Sequence, residues 1–176
     1  VAVAMTAGVM SAQDINQATE AYNNGAMELQ MGNNAAAIEN FKKVLEIEPE
    51  NGATALQLGQ AYMRGNNFDE SIVALEKAKA LGQAENADKL LSQVYLKKAQ
   101  ASNKAKDYQG AIDNCMKSNE FQENANAYKI AASAAQKLNR NSDVIAFYQK
   151  YLELSPKAKD AGGVAYTIAV IYQQEG

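Results

Sequence analysis

The sequence predicts an all-α fold, and three features carry this prediction. First, Ala, Leu, Glu, Lys and Gln are abundant along the chain, and these residues favour helix. Second, the sequence has only two prolines, Pro49 and Pro156, so long stretches contain no helix-breaking residue. Third, the sequence repeats itself. With 176 residues, 47% of them hydrophobic, the chain is long enough to bury a core.

The internal repeat has a period of about 34 residues. Gly25 and Phe41 of the first copy correspond to Gly59 and Leu75 of the second. Third and fourth copies follow, and a fifth begins near Ala165. Glycine inside a helix costs roughly 1 kcal/mol relative to alanine, so its recurrence at one repeat position needs a packing reason. We expect this position to be a close approach of two helices, with the large residue filling the space beside it.

Short polar clusters divide each copy into two predicted helices. They are Gly32-Asn33-Asn34, Gly65-Asn66-Asn67, Lys106-Asp107 and Asn139-Arg140-Asn141. Gly, Asn and Asp are the usual residues of helix ends and caps. Pro49 and Pro156 end the second helices of copies one and four, and the links after the first two copies are predicted at Glu50-Asn51 and Glu85-Asn86.

A small residue at the eighth position, Ala at the twentieth, an aromatic at the twenty-fourth and Pro at the thirty-second resemble the tetratricopeptide repeat. The resemblance covers nearly everything after Gln13. It implies an α-solenoid, a right-handed superhelix of stacked helix-turn-helix pairs whose first helices line a concave groove. We expect an insertion near residues 82–91, and more protein after the unfinished fifth repeat. The implied ranges are four repeats within residues 14–161, at about 18–51, 52–85, 92–124 and 125–158, and a truncated fifth repeat at 162–176.

The first residues differ from the rest. Residues 1–10 carry no charge and are followed by Ser11 and Ala12, which is typical of the apolar run and small residues of an export signal, although the basic start is missing. We expect residues 1–12 to be the remnant of a signal peptide cut before Gln13. The segment resembles secretory signals of Bacteroides-type bacteria, which implies an exported, periplasmic or envelope-associated protein. The alternative is a short apolar helix that caps the domain. No membrane span is expected in the mature chain, because no other segment approaches the roughly 20 apolar residues required.

Composition excludes several chemistries. The chain has no histidine and one cysteine, so Ser/His and Cys/His pairs and the usual zinc ligand sets cannot form within it. We expect Cys115 to be a core residue. Phosphate-binding and calcium-binding loop motifs are absent from the sequence, so we predict no cofactor, no metal and no enzyme activity. A net charge of -3 disfavours nucleic acid as a partner.

The resemblance also implies a binding site, because certain positions of the first helices face the groove in this family. No acid is among the residues selected, although the chain has 20 Asp and Glu against 17 Lys and Arg. Such a groove suits an extended peptide with polar or acidic side chains. The predicted partner-binding residues are Tyr22, Leu56, Gln60, Met63, Arg64, Leu96, Gln100, Lys104, Lys129, Lys137 and Tyr166.

The sequence therefore predicts a non-catalytic scaffold that binds a protein or peptide partner. Three alternatives stay open. The first is self-association through the unfinished fifth repeat. The second is a recognition arm of a longer enzyme whose catalytic domain lies beyond Gly176. The third, suggested by Tyr22 and Tyr166, is binding of cell-wall glycan.

Overall fold

The computed structural model describes residues 10–175, and this part of the chain is helical without any strand. Its helices form helix-turn-helix pairs, which confirms the predicted all-α solenoid class of fold. The chain divides into two compact units, the first ending at Ala87 and the second beginning at Asp88. The helices of the described residues are α1 Ala12–Met31, α2 Asn34–Ile47, α3 Gly52–Arg64, α4 Phe68–Ala78, α5 Ala84–Lys104, α6 Tyr108–Phe121, α7 Ala125–Lys137, α8 Asn141–Leu154 and α9 Ala161–Glu175.

The turns inside the helix pairs lie where the polar clusters predicted them. Gly32 ends α1 in the left-handed conformation, with φ of 83°. At the equivalent turns, Asn66, Lys106 and Asn139 take positive φ values of 63°, 64° and 56°. One left-handed residue after the first helix stops that helix and reverses the chain. The second helix of each pair therefore packs back against the first.

Unit 1 is held together by the small and large residues of the repeat. A Cβ atom added at Gly25 would lie 2.9 Å from Cε1 of Phe41, and one added at Gly59 would lie 2.6 Å from Cγ and Cδ2 of Leu75. Phe41 and Leu75 are fully buried. The two glycines thus let α2 approach α1, and α4 approach α3, more closely than any larger residue would permit. The packing reason expected for these glycines is present.

A glycine interrupts the helical conformation between α4 and α5. Residues Lys79–Gln83 form a kink between the two helices, in which Leu81 leaves the helical conformation and Gly82 takes φ of 88°. The predicted link at Glu85-Asn86 is wrong, because both residues lie in the first turn of α5. Gly82 is the better stop because it adopts the left-handed conformation without strain, and Glu85 favours the positive end of the helix dipole.

Unit 2 has an alanine-rich core between α5, α6, α7 and α8, with Cys115 and Val144 among its buried residues. Two buried serines join α5 to α6. The Ser118 hydroxyl donates to the Ser92 carbonyl oxygen at 2.8 Å, and the two hydroxyl oxygens lie 3.1 Å apart. Each buried hydroxyl therefore has a hydrogen-bond partner, as burial of a polar group requires.

The beginning of α1 is capped by Ser11. The backbone N–H of Asp14 donates to the Ser11 hydroxyl at 3.1 Å, and the Asp14 carboxylate accepts from the Ser11 backbone N–H at 3.1 Å. These hydrogen bonds to Ser11 lower the pKa of Asp14. Most of the predicted signal remnant, residues 1–9, lies outside the described residues. Among the described helices, none combines the length and apolar character that a bilayer crossing demands.

Candidate partner-binding surfaces

The first-helix face of unit 1 comprises α1 and α3, which carry five of the predicted partner-binding residues. Tyr22, Leu56 and Gln60 are half-buried, and Arg64 is exposed. The prediction that Met63 binds a partner is wrong, because only 5% of its surface is exposed. Its flexible thioether side chain fills space in the interior, a role that its repeat position alone did not reveal. Met63 cannot contact a partner without rearrangement of the core.

Tyr22 combines packing with a shallow pocket. Its ring lies edge-on to the Phe41 ring, with centroids 5.9 Å apart and an interplanar angle of 61°. The remaining surface of Tyr22 lines a pocket of about 230 Å³ together with Thr19, Glu48 and Asn51. The Glu48 carboxylate accepts from the Asn51 side-chain amide at 2.6 Å. The pocket therefore has an acidic group at its edge, which the sequence prediction of an acid-free face did not include.

Arg64 has a structural contact that explains its position. Its Nη1 donates to the carbonyl oxygen of Leu29 at 3.0 Å. Leu29 lies in the last turn of α1, and its carbonyl oxygen also accepts from the backbone N–H of Gly32 at 3.3 Å. Arg64, at the end of α3, thus adds a second donor to the end of α1, and its guanidinium group is held by a contact within unit 1.

The first-helix face of unit 2 comprises α7, α9 and the part of α5 from Asp88 onwards. Leu96 is half-buried against the core, whereas Gln100, Lys104, Lys137 and Tyr166 are exposed. Tyr166 is exposed over 71% of its surface. These side chains are accessible to a partner.

Lys104 and Lys137 share a feature with Arg64. Each is the last residue of its helix, so each cation lies where the helix dipole favours positive charge. Lys104 and Lys137 form no ion pair with any residue among 10–175. The basic character predicted for the groove therefore has a local cause in helix stability, and these two lysines still leave their charges available.

Lys129 is engaged in a cluster with two residues outside the predicted set. It forms an ion pair with Asp160 in the link before α9, and its Nζ lies 5.5 Å from the centre of the Tyr151 ring. The Tyr151 hydroxyl donates to the Asp160 carboxylate at 2.5 Å. The hydrogen bond to Asp160 raises the pKa of Lys129, and hydrogen bonds from Lys129 and Tyr151 lower the pKa of Asp160. The basic charge that the sequence predicted for a partner at Lys129 is neutralised by Asp160 instead. The contacts of Lys129 connect α7 and α8 to the link before α9.

Asp160 was missed because repeat positions describe helices, and Asp160 lies between α8 and α9. One signal was available, since Pro156 marks the end of a second helix and the few residues after it must join α9 to the preceding pair. That signal does not say which residue makes the contact.

The catalytic and metal-binding chemistry of the described residues is limited. Within residues 10–175, no group of three or more His, Cys, Asp or Glu side chains is arranged to hold a metal ion. Cys115 is fully buried, and burial raises the pKa of its thiol to about 12. The thiol stays protonated at neutral pH and is a poor nucleophile.

The fold and these surfaces define a helical-repeat protein with accessible first-helix faces. Comparison with known proteins agrees. Residues 28–94 match the family model of the tetratricopeptide repeat. This segment of the chain is therefore similar to the tetratricopeptide repeat, and helix-turn-helix pairs of the same kind continue in the described residues after it.

Individual relatives resemble parts of the chain. Over 48 residues, 27% of this chain, it is 42% identical to the formate-dependent nitrite reductase complex bifunctional subunit NrfFG of Haemophilus influenzae. The chain covers only 12% of the length of that protein. A crystal structure of the MamA protein has a TM-score of 0.58 at 24% identity, covering 91% of this chain and 83% of the other. MamA from Desulfovibrio magneticus RS-1 has a TM-score of 0.55 at 16% identity, covering 95% and 97%. Likeness to the MamA structures shows the shared fold.

Proposed function

We propose that the chain is a non-catalytic scaffold that binds a peptide or protein partner through its first-helix faces. The observation that carries this proposal is the pair of exposed lysines, Lys104 and Lys137, at the ends of α5 and α7. Both have cationic side chains without an ion-pair partner among the described residues. Gln100 and Tyr166 add an exposed amide and an exposed aromatic ring to the same face.

The chemistry of this face favours a peptide with acidic side chains. Acidic groups can pair with Lys104 and Lys137, and Gln100 can donate to or accept from a peptide backbone. Nucleic acid is a poor alternative, because the chain as a whole has a net charge of -3. Catalysis is disfavoured because histidine is absent and the Cys115 thiol stays protonated. NrfFG is named as a subunit of a complex, which agrees with a binding role.

The test must reverse charge without damaging the fold. Arg64 and Lys129 are unsuitable, because each holds a structural contact described above. Lys104→Glu and Lys137→Glu reverse exposed cations that have no ion pair. Lys43→Glu is the matched control, since Lys43 is an exposed lysine on the second helix α2 and has no ion pair among residues 10–175.

The assay is binding of labelled chain to an array of extended peptides with acidic, neutral or basic side chains. We expect binding to a subset of the acidic peptides, with affinity reduced several-fold by Lys104→Glu or Lys137→Glu and unchanged by Lys43→Glu. If Lys104→Glu, Lys137→Glu and Lys43→Glu all bound the same peptides with equal affinity, the role of the two lysines would be refuted. Binding of neutral peptides alone would refute the acidic partner.

We also propose that the chain is exported and that it divides into repeats at about 18–51, 52–85, 92–124 and 125–158. Support for export comes from the composition of residues 1–12. Mass measurement of the chain recovered from a bacterial envelope tests export, because a cut before Gln13 predicts one defined mass. Such a cut would also remove Ser11, the cap of α1.

Self-association through α9 is the second candidate. Its supporting observation is that Tyr166 and Tyr172 of α9 are exposed over 71% and 55% of their surfaces. If α9 mediates assembly, Tyr172→Glu lowers the average mass of the chain in sedimentation. An unchanged mass would eliminate this surface.

A further inference from the structure

The second-helix side of unit 1 carries an apolar pocket that the proposed function does not use. The pocket measures about 430 Å³ and lies against α2, α3 and α4. Leu45, Leu58 and Tyr62 line it together with Val73 and Ala74 of α4. Val73 is exposed over 72% of its surface, more than any other large hydrophobic side chain among the described residues. Val73 extends the apolar lining of the pocket onto the surface, and a contiguous apolar patch of this kind can mark an interaction site.

Two charges flank Val73 on the same helix. Asp69 adds a second carboxylate to the acidic end of the pocket, and Glu70 and Lys77 line the pocket on either side of Val73 along α4. They are seven residues apart, which is two helical turns or about 10 Å, so they share one face but lie too far apart to pair with each other. Neither forms an ion pair with any residue among 10–175. The face therefore presents a negative charge, an apolar centre and a positive charge in a row.

Two copies of this row have complementary charges when one copy of α4 runs antiparallel to the other. If a second α4 lies antiparallel on the first, Glu70 of each copy faces Lys77 of the other and the two Val73 side chains meet between them. A parallel arrangement would place like charges opposite each other. Contacts in which the same patch serves both copies are the isologous interfaces of two-fold dimers.

We infer that α4 of unit 1 is a self-pairing surface, on which a second copy of this chain docks antiparallel about Val73. The inference is independent of the proposed peptide binding, since the pairing residues Glu70, Val73 and Lys77 all lie on the second helix α4 and none of them is a predicted partner-binding residue. It also differs from assembly through α9, because α4 and α9 lie in different units.

The size of the surface sets the expected strength. The 11 residues of α4 span about 16 Å. A helix face of that length and about 10 Å in width is much smaller than the roughly 800 Å² per partner that stable complexes bury. The dimer is therefore weak, and it forms at high protein concentration.

The experiment is sedimentation equilibrium of the whole chain from about 10 µM to about 1 mM, a range in which weak association becomes measurable. The wild-type chain is expected to shift from monomer to dimer. Glu70→Lys and Lys77→Glu each place like charges opposite each other at two points, so each variant alone stays monomeric. An equal mixture of the two variants restores both pairs, and dimer returns. Val73→Glu abolishes the dimer when it is introduced into the wild-type chain, and also when it is introduced into both charge variants of the mixture.

A matched control and a folding check make the outcomes decisive. Glu20→Lys reverses an exposed acid on α1 that has no ion pair among the described residues, and it should leave dimerisation unchanged. Circular dichroism melting shows whether each variant keeps its helices. A wild-type chain that stays monomeric to about 1 mM overturns the inference. A folded Val73→Glu variant that still dimerises, or a mixture of charge variants that gives no dimer, overturns it as well.

Discussion

Gly59 offers the sharpest test of how the repeat packs. In Gly59→Ala, the new Cβ atom would lie 2.6 Å from both Cγ and Cδ2 of Leu75, and 3.4 Å from the Leu75 backbone nitrogen. The branched Cγ cannot move aside without moving the buried Leu75 side chain. Overpacking of this kind costs about 1–3 kcal/mol, whereas replacing glycine by alanine in a helix gains about 1 kcal/mol. We expect a net loss of up to about 2 kcal/mol from the free energy of unfolding.

The assay is a double-mutant cycle measured by chemical and thermal unfolding. A loss of up to about 2 kcal/mol lowers the melting temperature by up to roughly 8 °C for a chain of this length. Leu75→Ala alone should cost about 2–5 kcal/mol, because a fully buried leucine is removed. In that background Gly59→Ala should change sign and stabilise by about 1 kcal/mol, because the clash is gone and helix propensity remains.

Gly163 provides the matched control. It lies in α9, and nothing lies within 4 Å of the position that its Cβ would take. Gly163→Ala should therefore stabilise the chain by up to about 1 kcal/mol. If Gly59→Ala stabilised the wild-type chain as much as Gly163→Ala does, the close packing of Gly59 on Leu75 would not be what restricts this position.

Three further predictions concern single contacts. The pKa of Asp160 is lowered in the folded chain, so its stabilising contribution is present above about pH 4 and disappears as pH falls through the folded pKa. Asp160→Asn should be less stable than wild type at pH 7, with the difference closing below pH 4 in urea unfolding curves; a constant difference would refute the ion pair with Lys129. Ser11→Ala should lower the free energy of unfolding by about 1 kcal/mol through loss of the α1 cap, and no change would mean that the cap is frayed. Gly82→Ala should cost about 1–2 kcal/mol in thermal melts, since φ of 88° is unfavourable for alanine. An increase in stability would show that the link adopts another conformation.

Features that repeat were predictable from the sequence. Gly25 with Phe41 and Gly59 with Leu75 are the same physical device used twice, so their spacing identified a close helix contact before any coordinates. The turn clusters were equally informative, because Asn and Gly tolerate the left-handed conformation that ends a helix. Each copy of a recurring pattern supports the same structural prediction, so the pattern is rarely due to chance.

Features that occur once were not predictable. Asp160 meets Lys129 through a link whose path no repeat position describes. Arg64 occupies a family groove position, yet the carbonyl oxygen of Leu29 lies within its reach across 35 residues of sequence. Met63 is apolar enough for either surface or core, so only the packing around it decides. Each error arises because a side chain's partner depends on three-dimensional neighbours that periodicity does not specify.

Because Cys115 is buried, the folded chain has almost no thiol reactivity of its own. With the single native thiol buried and its pKa raised to about 12, maleimides and other thiol reagents find almost no thiolate to attack at neutral pH. A cysteine introduced at any exposed position would be the one that reacts. Spin labels or fluorophores can therefore be attached one site at a time without first removing Cys115, which would leave a cavity in the core of unit 2.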